Sequence, residues 1–133
     1  MVAKLNSEGI EIGIFVRDAE KSLAFYRDVL GLEYLGDLTF PGNHMWRFQA
    51  GKSVVKLLEQ TPTPEASNPA GDATGFRYLS LFVSNLEELV GEVEAAGCEV
   101  IIPITEFQPG AKFCFVADPE GNRIELLDVD LPA

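Results

Sequence analysis

The residues of this chain able to do chemistry sit at alternating positions within short apolar runs. Glu11 and Phe15 lie four apart in EIGIF, and Tyr78 and Phe82 lie four apart in YLSLF. Side chains at i, i+2 and i+4 of a strand share a face, so each pair presents a polar group beside an aromatic one. Arg123 and Glu125 share a face by the same rule. A two-residue hairpin across Gly51-Lys52 sets Arg47 opposite Lys56 and Gln49 opposite Val54 on one face. Trp46, Phe48, Val55 and Leu57 then point the other way, beneath a helix; a slip of one residue would reverse every assignment. Carboxylates at Glu11 and Glu125 are suited to moving protons, and Lys56, Arg47 and Arg123 to holding an anionic oxygen. The plainer reading of either arginine is a solvated edge charge. Phe15, Phe82, Phe113 and Phe115 are candidates for the wall of a pocket, with core packing as the plainer reading.

Other chemistries find no support. Of the 133 residues, 21 are acidic and 10 basic, a formal net charge of −11 that argues against a nucleic-acid partner. No apolar run reaches membrane-spanning length, and MVAKLNSEG lacks the apolar part of a signal peptide, so no membrane partner and a cytoplasmic location are expected. Cys98 and Cys114 have neither metal-ligand spacing nor a disulfide framework and read as buried free thiols. The single histidine, His44, falls in a turn or at the start of a strand, where a structural or solvated role is the plainer expectation. There is no phosphate-binding glycine loop and no recognisable Ser-His-Asp context.

The elements that must position these residues come twice. Ile10, Ile12, Ile14 and Val16 alternate as a strand. Asp18 caps a helix whose stripe is Ala19, Leu23, Tyr26 and Leu30, flanked by Phe25 and Val29, and Gly31 ends it. Leu79, Leu81 and Val83 then repeat the strand, Asn85 with Glu88 repeats the cap, and Leu86, Leu89, Val90, Val93 and Ala96 repeat the stripe, closed by Gly97. Further strands are expected at 33–40, 45–50 and 53–59, and at 99–103, 112–117 and 122–129, with Asp118-Pro119-Glu120-Gly121 as a turn. The order is βαβββ twice: module one at about 10–60, a Pro- and Gly-rich linker at 61–77, and module two at about 78–129.

This duplicated unit resembles the vicinal oxygen chelate superfamily, which includes glyoxalase I, methylmalonyl-CoA epimerase, extradiol dioxygenases and bleomycin- and fosfomycin-resistance proteins. The similarity spans nearly the whole chain and is most specific in VRDAEKSLAFYRDVLGL and FVADPEGNRIELL. It implies an α+β glyoxalase-like fold, in which two βαβββ modules form a curved, half-barrel mixed sheet with helices outside. It also implies a homodimer, since many relatives pair modules across subunits. The scaffold hosts lyases, isomerases, oxygenases and binders, so the site residues must decide the function.

Metal-dependent members of the superfamily place ligands at the start of the first strand and in the last strand of each module. Those positions fall here at Glu11, Lys56, Tyr78 and Glu125. Glu125 matches the closing carboxylate and Glu11 offers another oxygen, so these two would be the ligands if a metal were bound. Lys56 and Tyr78 disfavour a divalent metal, because a protonated lysine has no lone pair and repels the cation. No cofactor is therefore expected. The Lys56 ammonium would instead sit between the two carboxylates, either as a structural ion cluster or as part of a working pocket. In the working pocket, Lys56 and Tyr78 hold a substrate carbonyl or carboxylate and Glu11 or Glu125 moves the proton. That is a glyoxalase- or epimerase-like lyase or isomerase with a small-molecule substrate. The alternative is metal-free sequestration of a planar or cationic ligand, of the bleomycin-resistance kind.

Overall fold

The computed structural model describes residues 2–69, 71 and 73–130. The chain forms two compact units, Met1–Glu65 and Ala66–Ala133. Each is a four-stranded mixed sheet with helix on one side.

In the first unit, β1 (Glu11–Phe15) leads into α1 (Ala19–Leu23), followed by β2 (Glu33–Phe40), β3 (Asn43–Ala50) and β4 (Ser53–Gln60), with sheet order β1-β4-β3-β2. The connection from β1 to β4 is parallel, and the β3–β4 hairpin pairs Arg47 with Lys56, Gln49 with Val54, and Phe48 with Val55. That register is the one expected from the two-residue turn. Asp18 caps α1, accepting from the backbone N–H of Lys21 at 3.2 Å.

Beyond Leu23 the helix departs from the 3.6-residue period. It continues over Ala24–Val29 as a π-helix, and the Leu30 N–H donates to the Phe25 carbonyl five residues back. The wider turn changes which side chains face the sheet. Phe25 and Tyr26 become fully buried neighbours, along with Ser22, while Ala19, Leu23, Val29 and Leu30 of the expected stripe are only half-buried. Phe25 meets Tyr26 edge-on at 5.1 Å, and these rings close the core over Phe48, Val55 and Leu57. Trp46 shares that face but lies half-buried against the His44 ring rather than in the core.

The second unit repeats the plan: β5 (Tyr78–Phe82), α2 (Leu86–Ala95), β6 (Val100–Gln108), β7 (Ala111–Ala117) and β8 (Arg123–Asp128), in order β5-β8-β7-β6. Leu86, Leu89, Val90 and Val93 of α2 are buried together with Cys114, Val116, Ile124 and Leu126 of the sheet. Asn85 precedes α2 but makes no side-chain capping bond, contrary to expectation. β6 runs past Pro103 to Gln108, five residues beyond the sequence expectation. As the edge strand it tolerates a residue without an N–H, and its ladder to β7 shifts register between Ile102 and Thr105. The turn before β8 is built by buried Asp118, whose carboxylate accepts from the Glu120 N–H, the Asn122 N–H and the Asn122 side-chain amide at 2.8–3.0 Å.

Candidate functional site

Each sheet turns one face to its helix and leaves the other free. Strand alternation assigns Glu11, Gly13 and Phe15 of β1, Val54, Lys56 and Leu58 of β4, and Arg47 and Gln49 of β3 to the free face of the first unit. There Glu11 Oε1 lies 3.8 Å from Arg47 Nη2 and 3.9 Å from Lys56 Nζ. Both separations are ion-pair contacts beyond hydrogen-bond length, so neither cation commits a donor to the carboxylate. The lysine and arginine side chains are 28% and 34% exposed and the glutamate 50%, a half-sheltered setting. Phe15 stands beside them, 54% exposed. A carboxylate flanked by two cations leaves this patch with a positive balance.

Gln49 does not join the patch as a ligand donor. Its side-chain amide folds back on the hairpin and donates to the carbonyls of Gly51 and Ser53. Its position beside the turn gives the amide two nearby carbonyls to satisfy, and it serves the hairpin instead.

On the free face of the second unit, β5 and β8 run parallel with Tyr78 opposite Arg123 and Ser80 opposite Glu125. The Ser80 hydroxyl donates to Glu125 Oε1 at 2.8 Å and fixes that carboxylate. Ser80 was not singled out in the sequence, although it lies on the same alternation as Tyr78. Four rings cross this face in edge-on contacts: Tyr78 to Phe115 at 5.0 Å, Phe115 to Phe113 at 6.0 Å, and Phe113 to Phe107 at 5.7 Å. Phe107 was also missed, because it lies past the expected end of β6. Phe82, on the same face, is 54% exposed. Arg123 keeps a buried Nε with no hydrogen-bond partner among the described residues.

Neither thiol is activated as a nucleophile. Burial pushes Cys114 up to about 11, opposed in part by a backbone bond at Leu126 and reinforced by the Glu125 charge. Burial, with the Asp118 charge, also raises Cys98.

Among the described residues no group of three or more His, Cys, Asp or Glu is close enough to hold a metal ion. The donor set of each unit also fits a divalent ion poorly. The first offers one carboxylate under two cations, and the second offers a carboxylate engaged by Ser80 near a phenol.

These sheets and their sequence match known proteins. The family model described as Glyoxalase/Bleomycin resistance protein/Dioxygenase superfamily matches residues 10–126, and the chain belongs to that superfamily. The uncharacterized protein YwkD of Bacillus subtilis (strain 168) is 29% identical over 119 residues, covering 88% of this chain and 93% of YwkD. A probable lactoylglutathione lyase of Synechocystis sp. is 26% identical over 121 residues, covering 86% of this chain and 89% of that one. Among solved structures, a glyoxalase family protein from Bacillus cereus superposes with a TM-score of 0.82 at 18% identity, over 95% of both chains. This last likeness speaks for the fold alone. No helix is long and apolar enough to cross a membrane among the described residues.

Proposed function

We propose that the protein is a glyoxalase- or epimerase-like lyase or isomerase that acts on a small carbonyl or carboxylate compound by acid–base chemistry without a metal. The observation that carries this reading is Glu11 held at 3.8–3.9 Å from Arg47 and Lys56, with the donors of both cations left for a ligand. An anionic or carbonyl oxygen bound by these donors would bring its neighbouring carbon near a carboxylate. Lys56 would stabilise the enolate-like charge that develops when a proton leaves that carbon, and Glu11 would take the proton and return it. On the face of the second unit, Tyr78 would serve as the donor and Glu125 as the base. Ser80 would hold Glu125 in one orientation for that transfer.

The natural test is solvent exchange. Candidate 2-oxo acids, 2-hydroxy carbonyls and branched carboxylate thioesters would be incubated with the protein in D₂O, with chelator present, and their α-protons followed by NMR. Exchange at one compound, lost in Glu11→Gln and in Lys56→Met, supports the reading. Unchanged turnover in both variants refutes it. A homodimer is part of the proposal, checked by light scattering, as is a cytoplasmic setting.

A second reading draws on the ring sequence Tyr78–Phe115–Phe113–Phe107. Such a surface suits a planar ligand held without chemical change, as in a sequestering protein. Recovery of a tightly bound compound unaltered after prolonged incubation would favour it over the enzyme.

A further inference from the structure

The free faces leave one polar cluster of the first unit unused. It lies on the opposite face, toward the β2–β3 turn, where Thr39 pairs with His44 and Asp37 with Trp46 across the ladder. His44 Nε2 lies 2.7 Å from Asp37 Oδ2, and Thr39 Oγ1 lies 2.9 Å from His44 Nδ1. A carboxylate only accepts, so Nε2 carries a proton, and in the neutral form of the ring Nδ1 offers a lone pair. In that form the Thr39 hydroxyl donates to His44. The other oxygen of Asp37 accepts from the Tyr34 hydroxyl at 3.2 Å, and Trp46 packs against the imidazole with ring centroids 4.3 Å apart. Burial, followed by the Asp37 charge, pushes the Tyr34 phenol up, so it stays a donor. Hydroxyl, imidazole and carboxylate thus stand in series with the polarity that activates an oxygen nucleophile, and the carboxylate and ring are each held by a further contact.

This series opens onto a cleft of about 410 Å³ lined by Thr39, Phe40, Gly42, Asn43, His44 and Glu59, together with Thr61. Thr39 is exposed and the His44 side chain is 30% exposed, so a ligand in the cleft can reach both. Glu59 on the wall disfavours anionic ligands.

The geometry points to an acyl-transfer site in which Thr39 and His44 are catalytic and Asp37 is a positioning residue, acting on esters of neutral or cationic alcohols. Thr39 Oγ1 attacks the ester carbonyl as its proton passes to His44 Nδ1. The carbonyl–alkoxide bond breaks, and the alkoxide leaves with that proton. Water then attacks the acyl-threonine by the same route, giving the acid and restoring the hydroxyl. This site is independent of the one proposed above.

The test uses the full chain and 4-nitrophenyl acetate, with acid-quenched samples mapped by peptide mass spectrometry. Thr39→Val and His44→Gln should each lower hydrolysis by about 10²-fold or more. Thr39→Ser should restore it, and an acetyl group should appear on Thr39. Asp37→Asn should shift the pH profile of kcat/KM as well as lowering it, with Glu59 and Tyr34 the other titratable groups beside the ring. A purely structural Asp37 would leave that profile unmoved. The proposal falls if wild-type hydrolysis is no faster than that of equimolar imidazole, or if folded Thr39→Val matches wild type.

Discussion

Replacing Lys56 by Met separates a working cation from a structural one. Met keeps most of the aliphatic stem and removes only the charge. At 3.9 Å from Glu11, a pair of unit charges interacts by about 1 kcal/mol in water and about 4 kcal/mol at an effective dielectric near 20. Glu11 is half exposed and retains Arg47 at 3.8 Å, so solvent and the second cation absorb most of the loss. The expected cost to folding is therefore that of a surface pair, about 1 kcal/mol or less, read as a small shift in the urea midpoint. The cost to catalysis is expected to be larger. Removing one donor to a developing oxyanion costs about 3–4 kcal/mol, a fall in kcat of about 10²–10³-fold. The discriminating result is the ratio of the two effects. A stability loss of about 3 kcal/mol or more with exchange activity intact would mean that Lys56 holds a structural ion cluster, and the proposed chemistry would fail with it.

Three further outcomes test other parts of the structure. Asp118→Ala strips three donors of a buried acceptor and should lower stability by about 2–3 kcal/mol in urea unfolding, against about half that for Asp118→Asn. Native protein at pH 8 should give Cys98 but not Cys114 to Ellman's reagent, and both thiols after denaturation, because Cys114 is fully buried and pushed up to about 11. The 2.7 Å bond from Lys112 to Glu87 lowers the carboxyl and raises the ammonium. Its contribution is present above the unfolded carboxyl value and fades as pH falls through the depressed one. At the alkaline end it fades as pH rises through the raised lysine value, so Lys112→Met should lower the unfolding midpoint slightly between those limits and leave it unchanged beyond them.

What could be read from the sequence follows from which interactions are local. The Gly51-Lys52 turn and the alternation on either side of it determine a hairpin register without long-range information, and Arg47 does face Lys56. Asp18 is legible as a cap because its partner, the Lys21 N–H, lies within the same turn. The departures arise where a distant neighbour decides. A 3.6-residue period could not anticipate the π-helix over Ala24–Val29, which tracks the packing of Phe25 and Tyr26 rather than a residue pattern. Pro103 reads as a strand end until the sheet order makes β6 an edge. Ser80 gains its role from standing opposite Glu125, 45 residues away, and a serine in an apolar strand carries no local mark of that. Gln49 went the other way, because its face was right while its amide donates to two carbonyls of its own hairpin. The His44 cluster combines both cases. Its residues are near in sequence, but Thr39, Asp37 and His44 form a series only once a two-residue turn at Pro41-Gly42 pairs Phe40 with Asn43 and so sets the β2–β3 register. Residue type and alternation place groups on a face, and register decides which of them touch.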